Sequence, residues 1–112
     1  MADRLEVLRE YRVRIVPGSE SSPMGPDDLG RRSKFGGVPN EVQPSGSDKL
    51  VCPQCHLKMS FVAQIDSFEH NDENNPNRRD YRKQHFMFGD VGMIYVWFCF
   101  DCLVPFATMD CY

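Results

Sequence analysis

Four of the five cysteines occur as two Cys-x-x-Cys pairs, a spacing that is typical of metal ligands. The first pair is Cys52 and Cys55, and the second is Cys99 and Cys102. In each pair a tight turn brings two thiolates within reach of one ion, and two such turns supply the four soft ligands that tetrahedral zinc prefers. Four cysteines also saturate zinc and leave no coordination position for a substrate. The sequence therefore predicts a structural zinc-ribbon site.

Other chemistries of paired cysteines fit this chain less well. A thioredoxin-like redox centre uses one Cys-x-x-Cys near a βαβ pattern, whereas here there are two pairs and no helix signal after either. Disulfides are typical of secreted proteins, but residues 1–10 lack the basic and apolar regions of a signal peptide. We therefore expect a cytoplasmic protein, and we favour zinc over disulfides and redox chemistry.

The elements that must position the cysteines are predicted to be strands. Residues 59–65 follow the first pair and are predicted to form a strand. Residues 93–99 lead into the second pair, and their aromatic and β-branched side chains are typical of a strand that is fully buried, on both faces. Residues 103–109 return from it, so the second pair lies at the tip of a β-hairpin. Alternation of Tyr11, Val13 and Ile15 with arginines predicts a further strand with one buried face.

The 43 residues between Cys55 and Cys99 exceed the roughly 15 to 20 of a compact ribbon. The excess lies in a polar loop over 67–84, and a second loop, rich in Gly, Pro, Ser and Asp, covers 18–48. At 112 residues and 41% hydrophobic content we expect one zinc-stapled domain, 1–112. The predicted fold class is mainly β, an antiparallel sheet with a zinc-ribbon-like site, and a small α+β arrangement is the alternative. No apolar run approaches the roughly 18 residues of a membrane span.

Three short segments resemble, in order, the motifs of the YwqG-like family, a bacterial domain of unknown function. They are the stretches 33–39 (SKFGGVP), 61–65 (FVAQI) and 89–98 (GDVGMIYVWF). The resemblance implies a β-rich fold. It also implies a role as an immunity protein, because members of that family occur near polymorphic toxin systems. It supplies no catalytic residues.

We expect no enzyme, because no established catalytic signature is present. Cys111 could act as a nucleophile with a histidine as its base, but the favoured interpretation is a spare, half-buried thiol. His56 is expected to be exposed or to lie next to the metal site, and Gly36-Gly37 to form a turn with positive φ. The predicted function is a zinc-binding protein-interaction module that inhibits a toxin partner.

Two charged stretches are candidate contact surfaces. An acidic one would meet a basic protein partner and comprises Asp66, Glu69, Asp72 and Glu73. A basic one supports the alternative function, a nucleic-acid-associated zinc ribbon, and comprises Arg78, Arg79, Arg82 and Lys83. The formal net charge of -3 weakens the attraction to phosphate and favours the protein partner.

Overall fold

The chain forms a four-stranded antiparallel sheet in which every strand pairs with its neighbour in sequence. A computed structural model describes residues 8, 10–18, 32–40, 50–67, 86–88 and 92–111. The strands are β1 (Lys34–Phe35), β2 (Ser60–Asp66), β3 (Gly92–Cys99) and β4 (Val104–Cys111). None of the described residues is helical. The mainly β fold class is thus confirmed.

Strand β3 lies inside the sheet and carries the core. Its alternate side chains Met93, Tyr95, Trp97 and Cys99 are buried, as expected for aromatic and sulfur-bearing residues on the inner face of a pleated strand. The side chains between them are only partly buried. The prediction of a strand here is confirmed, but burial on both of its faces is wrong.

A β-bulge in β2 changes which side chains share a face. Phe61 pairs with Trp97, whereas Ala63 pairs with Val96, so Val62 is the extra residue. Because of the bulge, Phe61 lies on the Trp97 side of the sheet, and the two rings meet edge to face with centroids 5.4 Å apart. Ala63 lies on the opposite side.

A buried ion pair attaches β1 to β2. The guanidinium of Arg32 donates from Nε and Nη2 to the two carboxylate oxygens of Asp66, at 2.8 and 2.6 Å. Next to this pair, the side-chain amide of Gln64 donates to the carbonyl of Arg32 at 2.6 Å and to Asn40 at 3.0 Å. These bonds satisfy polar groups that would otherwise be costly to bury.

This arrangement corrects two predictions. Asp66 was expected to present charge to a partner, but it is fully buried and ion-paired. The loop over 18–48 was expected to be irregular, but it contains β1, and Gly36 and Gly37 then turn the chain with φ of 74° and 73°. The turn itself was predicted. The remainder of that loop lies outside the described residues.

The predicted N-terminal strand is also wrong. Residues 10–18 form no strand, and Val13 and Ile15 are exposed. The ring of Tyr11 packs edge to face on Phe86, with centroids 5.8 Å apart. Period-two alternation alone does not create a strand, because the segment also needs a sheet edge to pair with.

Within the described part of the chain, no helix of sufficient length and hydropathy to cross a bilayer occurs.

Candidate metal centre

Residues 50–59 form the first knuckle, a small hairpin that presents Cys52 and Cys55. Val51 and Lys58 form an antiparallel bridge, and the amide of Cys52 donates to the carbonyl of Leu57 at 2.8 Å. At the tip, the amide of Gln54 donates to the sulfur of Cys52 at 3.4 Å. An amide that points at a sulfur stabilises its thiolate form.

Residues 99–103 form the second knuckle, which connects β3 to β4. The amide of Leu103 donates to the carbonyl of Cys99 at 2.8 Å, and the amide of Cys102 donates to the sulfur of Cys99 at 3.4 Å. The first knuckle contains the equivalent backbone bond, from His56 to Cys52 at 2.9 Å. The two turns therefore share this backbone hydrogen bond, and the second lies at a hairpin tip as predicted.

Both knuckles place a residue other than glycine in the left-handed region directly after their second cysteine. His56 has φ of 61° and Leu103 has φ of 59°. This backbone reverses the chain so that both sulfurs of a turn point to the same side, and glycine adopts it at least cost. The sequence analysis did not predict positive φ at these two positions. The signal that could have indicated it is their place directly after a Cys-x-x-Cys turn.

The four cysteine sulfurs converge at one point. They all lie within 4.8 Å of one another, and the sulfurs of Cys55 and Cys99, from different knuckles, are 3.6 Å apart. Four sulfurs at about 2.3 Å from a central ion would be about 3.8 Å apart, so the cluster has the size of a tetrahedral thiolate site. Cys52 and Cys99 are buried, and Cys55 and Cys102 are half-buried. The donor set fits a metal ion.

The pKa values of the cysteines show why such a cluster favours a cation. The pKa of Cys52 is lowered to about 7, mainly because the backbone N–H of Cys55 donates to its sulfur. The pKa of Cys102 is raised to about 12, mainly by its hydrogen bond with Cys55 and then by burial. The pKa of Cys55 is also raised: the N–H of Leu57 acts to lower it, but burial and Cys99 outweigh that effect. Thiols this close resist ionising together unless a cation compensates their charge.

The remaining predicted site residues are placed as follows. His56 is exposed, and Cys111 is half-buried with its thiol 3.9 Å from the carbonyl oxygen of Phe88. The other predicted contact residues lie outside the described part of the chain: Glu69, Asp72, Glu73, Arg78, Arg79, Arg82 and Lys83.

Comparison with protein-family models, curated proteins and solved structures gave no match. The resemblance to the YwqG-like family therefore stays a prediction from three short segments. The assignment of the site rests on the cysteine cluster alone.

Proposed function

We propose that this chain is a non-enzymatic protein-interaction module whose four cysteines hold one structural zinc ion. The observation that carries the zinc proposal is the convergence of Cys52, Cys55, Cys99 and Cys102 on a volume that one tetrahedral ion fills. All four cysteines would bind the ion as thiolates, so no position is left at which a substrate or an activated water would bind. The ion then serves to join the two knuckles.

The chemistry of the donors favours zinc over the hard divalent ions. Four soft sulfur ligands in a tetrahedron select zinc or iron and disfavour magnesium, calcium and manganese. Amide donors to the sulfurs of Cys52 and Cys99 spread the charge of a bound thiolate, which suits an ion that carries no further ligand.

The proposed partner is a protein, and specifically a toxin that this chain inhibits. The toxin role is supported by the sequence resemblance to the YwqG-like family. A metal ion with no open coordination position takes no part in catalysis itself, which fits an inhibitor that acts by occupying its target.

The first test is metal content and its dependence on the cluster. Cys55→Ser removes one ligand, and Cys111→Ser is the matched control because it removes a thiol outside the cluster. Wild type and Cys111→Ser should contain about one zinc per chain, and Cys55→Ser should lose both metal and cooperative unfolding, since structural zinc contributes on the order of 10 kcal/mol. Elemental analysis that finds no metal in the reduced wild type would refute the site, and iron in its place would refute zinc.

The second test concerns the partner. Tagged wild type, Cys111→Ser and Cys55→Ser are used for affinity capture from native cells, and the co-purified proteins are identified by mass spectrometry. Wild type and Cys111→Ser should capture the same partner in a stoichiometric complex. Expression of that partner alone should arrest cell growth, and co-expression of this chain should restore it. A captured protein that is not toxic would refute the immunity role, and capture of no protein would refute the interaction module.

A further inference from the structure

The sheet has a second face, opposite the one that carries Trp97, and we call it the apolar face. In an antiparallel sheet directly paired residues point to the same side, so the register identifies its members. Their shared property is an uncharged, apolar side chain: Phe35, Ala63, Ile65, Ile94, Val96, Phe98, Pro105, Ala107 and Met109. Ser60 and Cys111, at its ends, are uncharged as well. Among the described residues, none on this face carries a charge.

Large side chains of the apolar face are exposed. Phe35 is 70% exposed and Met109 is 51% exposed. The ring of Phe98 packs edge to face on that of Phe100, with centroids 4.9 Å apart, and Phe100 is itself 67% exposed. The apolar face therefore continues onto the second knuckle. The opposite face buries a carboxylate and an amide, from Asp66 and Gln64, so the more polar side of this sheet is the better covered one.

The ranges outside the described residues are poorer in large apolar side chains than the sheet. They contain ten large apolar or aromatic side chains, namely Met1, Leu5, Val7, Met24, Leu29, Val42, Phe68, Tyr81, Val91 and Tyr112. Their other residues are mostly charged, polar, glycine or proline. The largest exposed apolar patch of a typical monomer covers about 300–600 Å² and is often a functional contact site.

We propose that the apolar face is the contact surface of a homodimer, in which two copies pack sheet against sheet. The absence of charge on the described part of this face is the reason for choosing a second copy. The chain carries a net charge of -3, so two copies repel each other through most orientations, but they meet here without apposed like charges. A two-fold contact needs a surface that complements itself, and an uncharged apolar sheet meets that requirement.

The shape of the face suits this packing. Small side chains, Ala63 and Ala107, flank Val96 across its centre, with larger ones at both ends. Facing sheets pack about 10 Å apart with interdigitated side chains, and such hollows receive them. The strands β2, β3 and β4, with seven or eight residues each, give a projected area of about 350 Å² per copy. Two such faces together lie below the roughly 1,200 Å² of a standard stable complex, so the dimer should be weak and should dissociate on dilution.

The proposal does not depend on the toxin role or on the identity of the metal. The second knuckle, however, carries Phe100, so metal removal is expected to weaken the dimer as well as the fold.

The test is the oligomeric state of the metal-loaded protein, measured by sedimentation over a wide range of concentration. Met109→Glu and Ile65→Glu each place a charge on the apolar face. The matched control is Phe106→Glu on β4: Phe106 is 49% exposed, close to the value for Met109, but it pairs with Trp97 and so lies on the other face. Metal content and circular dichroism establish which variants are folded. One folded variant of the apolar face is sufficient for the comparison with Phe106→Glu.

Wild type and Phe106→Glu should form dimers with the same dissociation constant, and the apolar-face variants should dimerise at least about tenfold more weakly. A wild type that stays monomeric at every concentration overturns the proposal. If a different protein then binds wild type but not Met109→Glu, the apolar face is the contact surface for that protein. If no protein does so, the face is covered by other residues of this chain. Equal weakening by Phe106→Glu and Met109→Glu also overturns it, because the contact would not then be confined to this face.

Discussion

At the scale of single residues, the two positions after the Cys-x-x-Cys turns are the most informative. His56 and Leu103 both adopt positive φ, which costs a residue with a Cβ roughly 1 kcal/mol relative to glycine. Neither side chain is buried in return. The backbone shape of a knuckle thus overrides the preference of the residue, because the sulfurs converge only if the chain reverses at this position.

Leu103→Gly should therefore stabilise the protein, by up to about 1 kcal/mol. Leucine pays a conformational cost there and is exposed, so its loss removes little packing. Leu57→Gly is the matched control, since Leu57 is also exposed in a knuckle but lacks positive φ, and this change should be neutral or destabilising. Denaturant unfolding measures both. A lower midpoint for Leu103→Gly than for wild type would contradict the argument.

At the scale of elements, the start of β3 is fixed by a cluster of hydrogen bonds. The amide of Gly92 donates to the carbonyl of Phe88 at 2.7 Å. The hydroxyl of Ser67 donates a hydrogen bond to the carbonyl of Gly92 at 2.6 Å. The same hydroxyl accepts a hydrogen bond from the amide of Phe88 at 3.0 Å. The end of β2, the start of β3 and residues 86–88 are held together by these bonds, so β2 and β3 keep their register at the end of the sheet remote from the metal centre.

Gly92→Ala should destabilise the protein by about 1–3 kcal/mol. A Cβ at this position would overlap the carbonyl oxygen of Phe88 and would lie 3.2 Å from the sulfur of Cys111, so the backbone has to move. Gly18→Ala is the control, because a Cβ there meets nothing within 4 Å. Thermal unfolding should show a lower midpoint for Gly92→Ala alone. Equal midpoints for the two variants would show that the contact with Phe88 relaxes at no cost.

At the scale of the whole molecule, the metal centre connects parts of the chain that are far apart in sequence. The first knuckle precedes β2, and the second joins β3 to β4. An ion bound between them would hold these strands in one register and close the loop between Cys55 and Cys99. Since that loop is long, its closure removes much conformational entropy from the unfolded chain. Binding of such an ion would therefore be coupled to folding.

Metal affinity should rise steeply with pH. The pKa of Cys102 is raised to about 12 and that of Cys55 is also raised, so both are protonated at neutral pH. Each must lose its proton to bind the ion, and at least two protons are then released per ion. The apparent affinity should increase at least about a hundredfold from pH 6 to pH 7, and acidification should release metal and unfold the protein.

Competition with a chromophoric chelator measures this slope, and Cys111→Ser should reproduce it. Affinity that does not change with pH would mean that the cysteines are not the ligands.

The part of this protein that could be predicted from sequence is the part set by local spacing. A Cys-x-x-Cys turn brings its own two sulfurs together wherever it occurs, and the runs at 59–65 and 93–99 carry enough β-branched and aromatic residues to specify strands. The strands β2, β3 and β4 were therefore placed to within a few residues. The zinc itself and the single domain over 1–112 stay predictions.

What only the tertiary structure decided are the pairings between distant segments. Arg32 is 34 residues from Asp66, and nothing in the composition of either neighbourhood indicates that their charges neutralise each other in the interior. The bulge at Val62 likewise depends on the partner strand, and it determines that Phe61 packs on Trp97 while Ala63 and Ile65 join the apolar face. The sequence of a strand specifies which side chains alternate between its two faces. The register with the neighbouring strand decides which of the two faces is buried, because burial is a property of the assembled sheet.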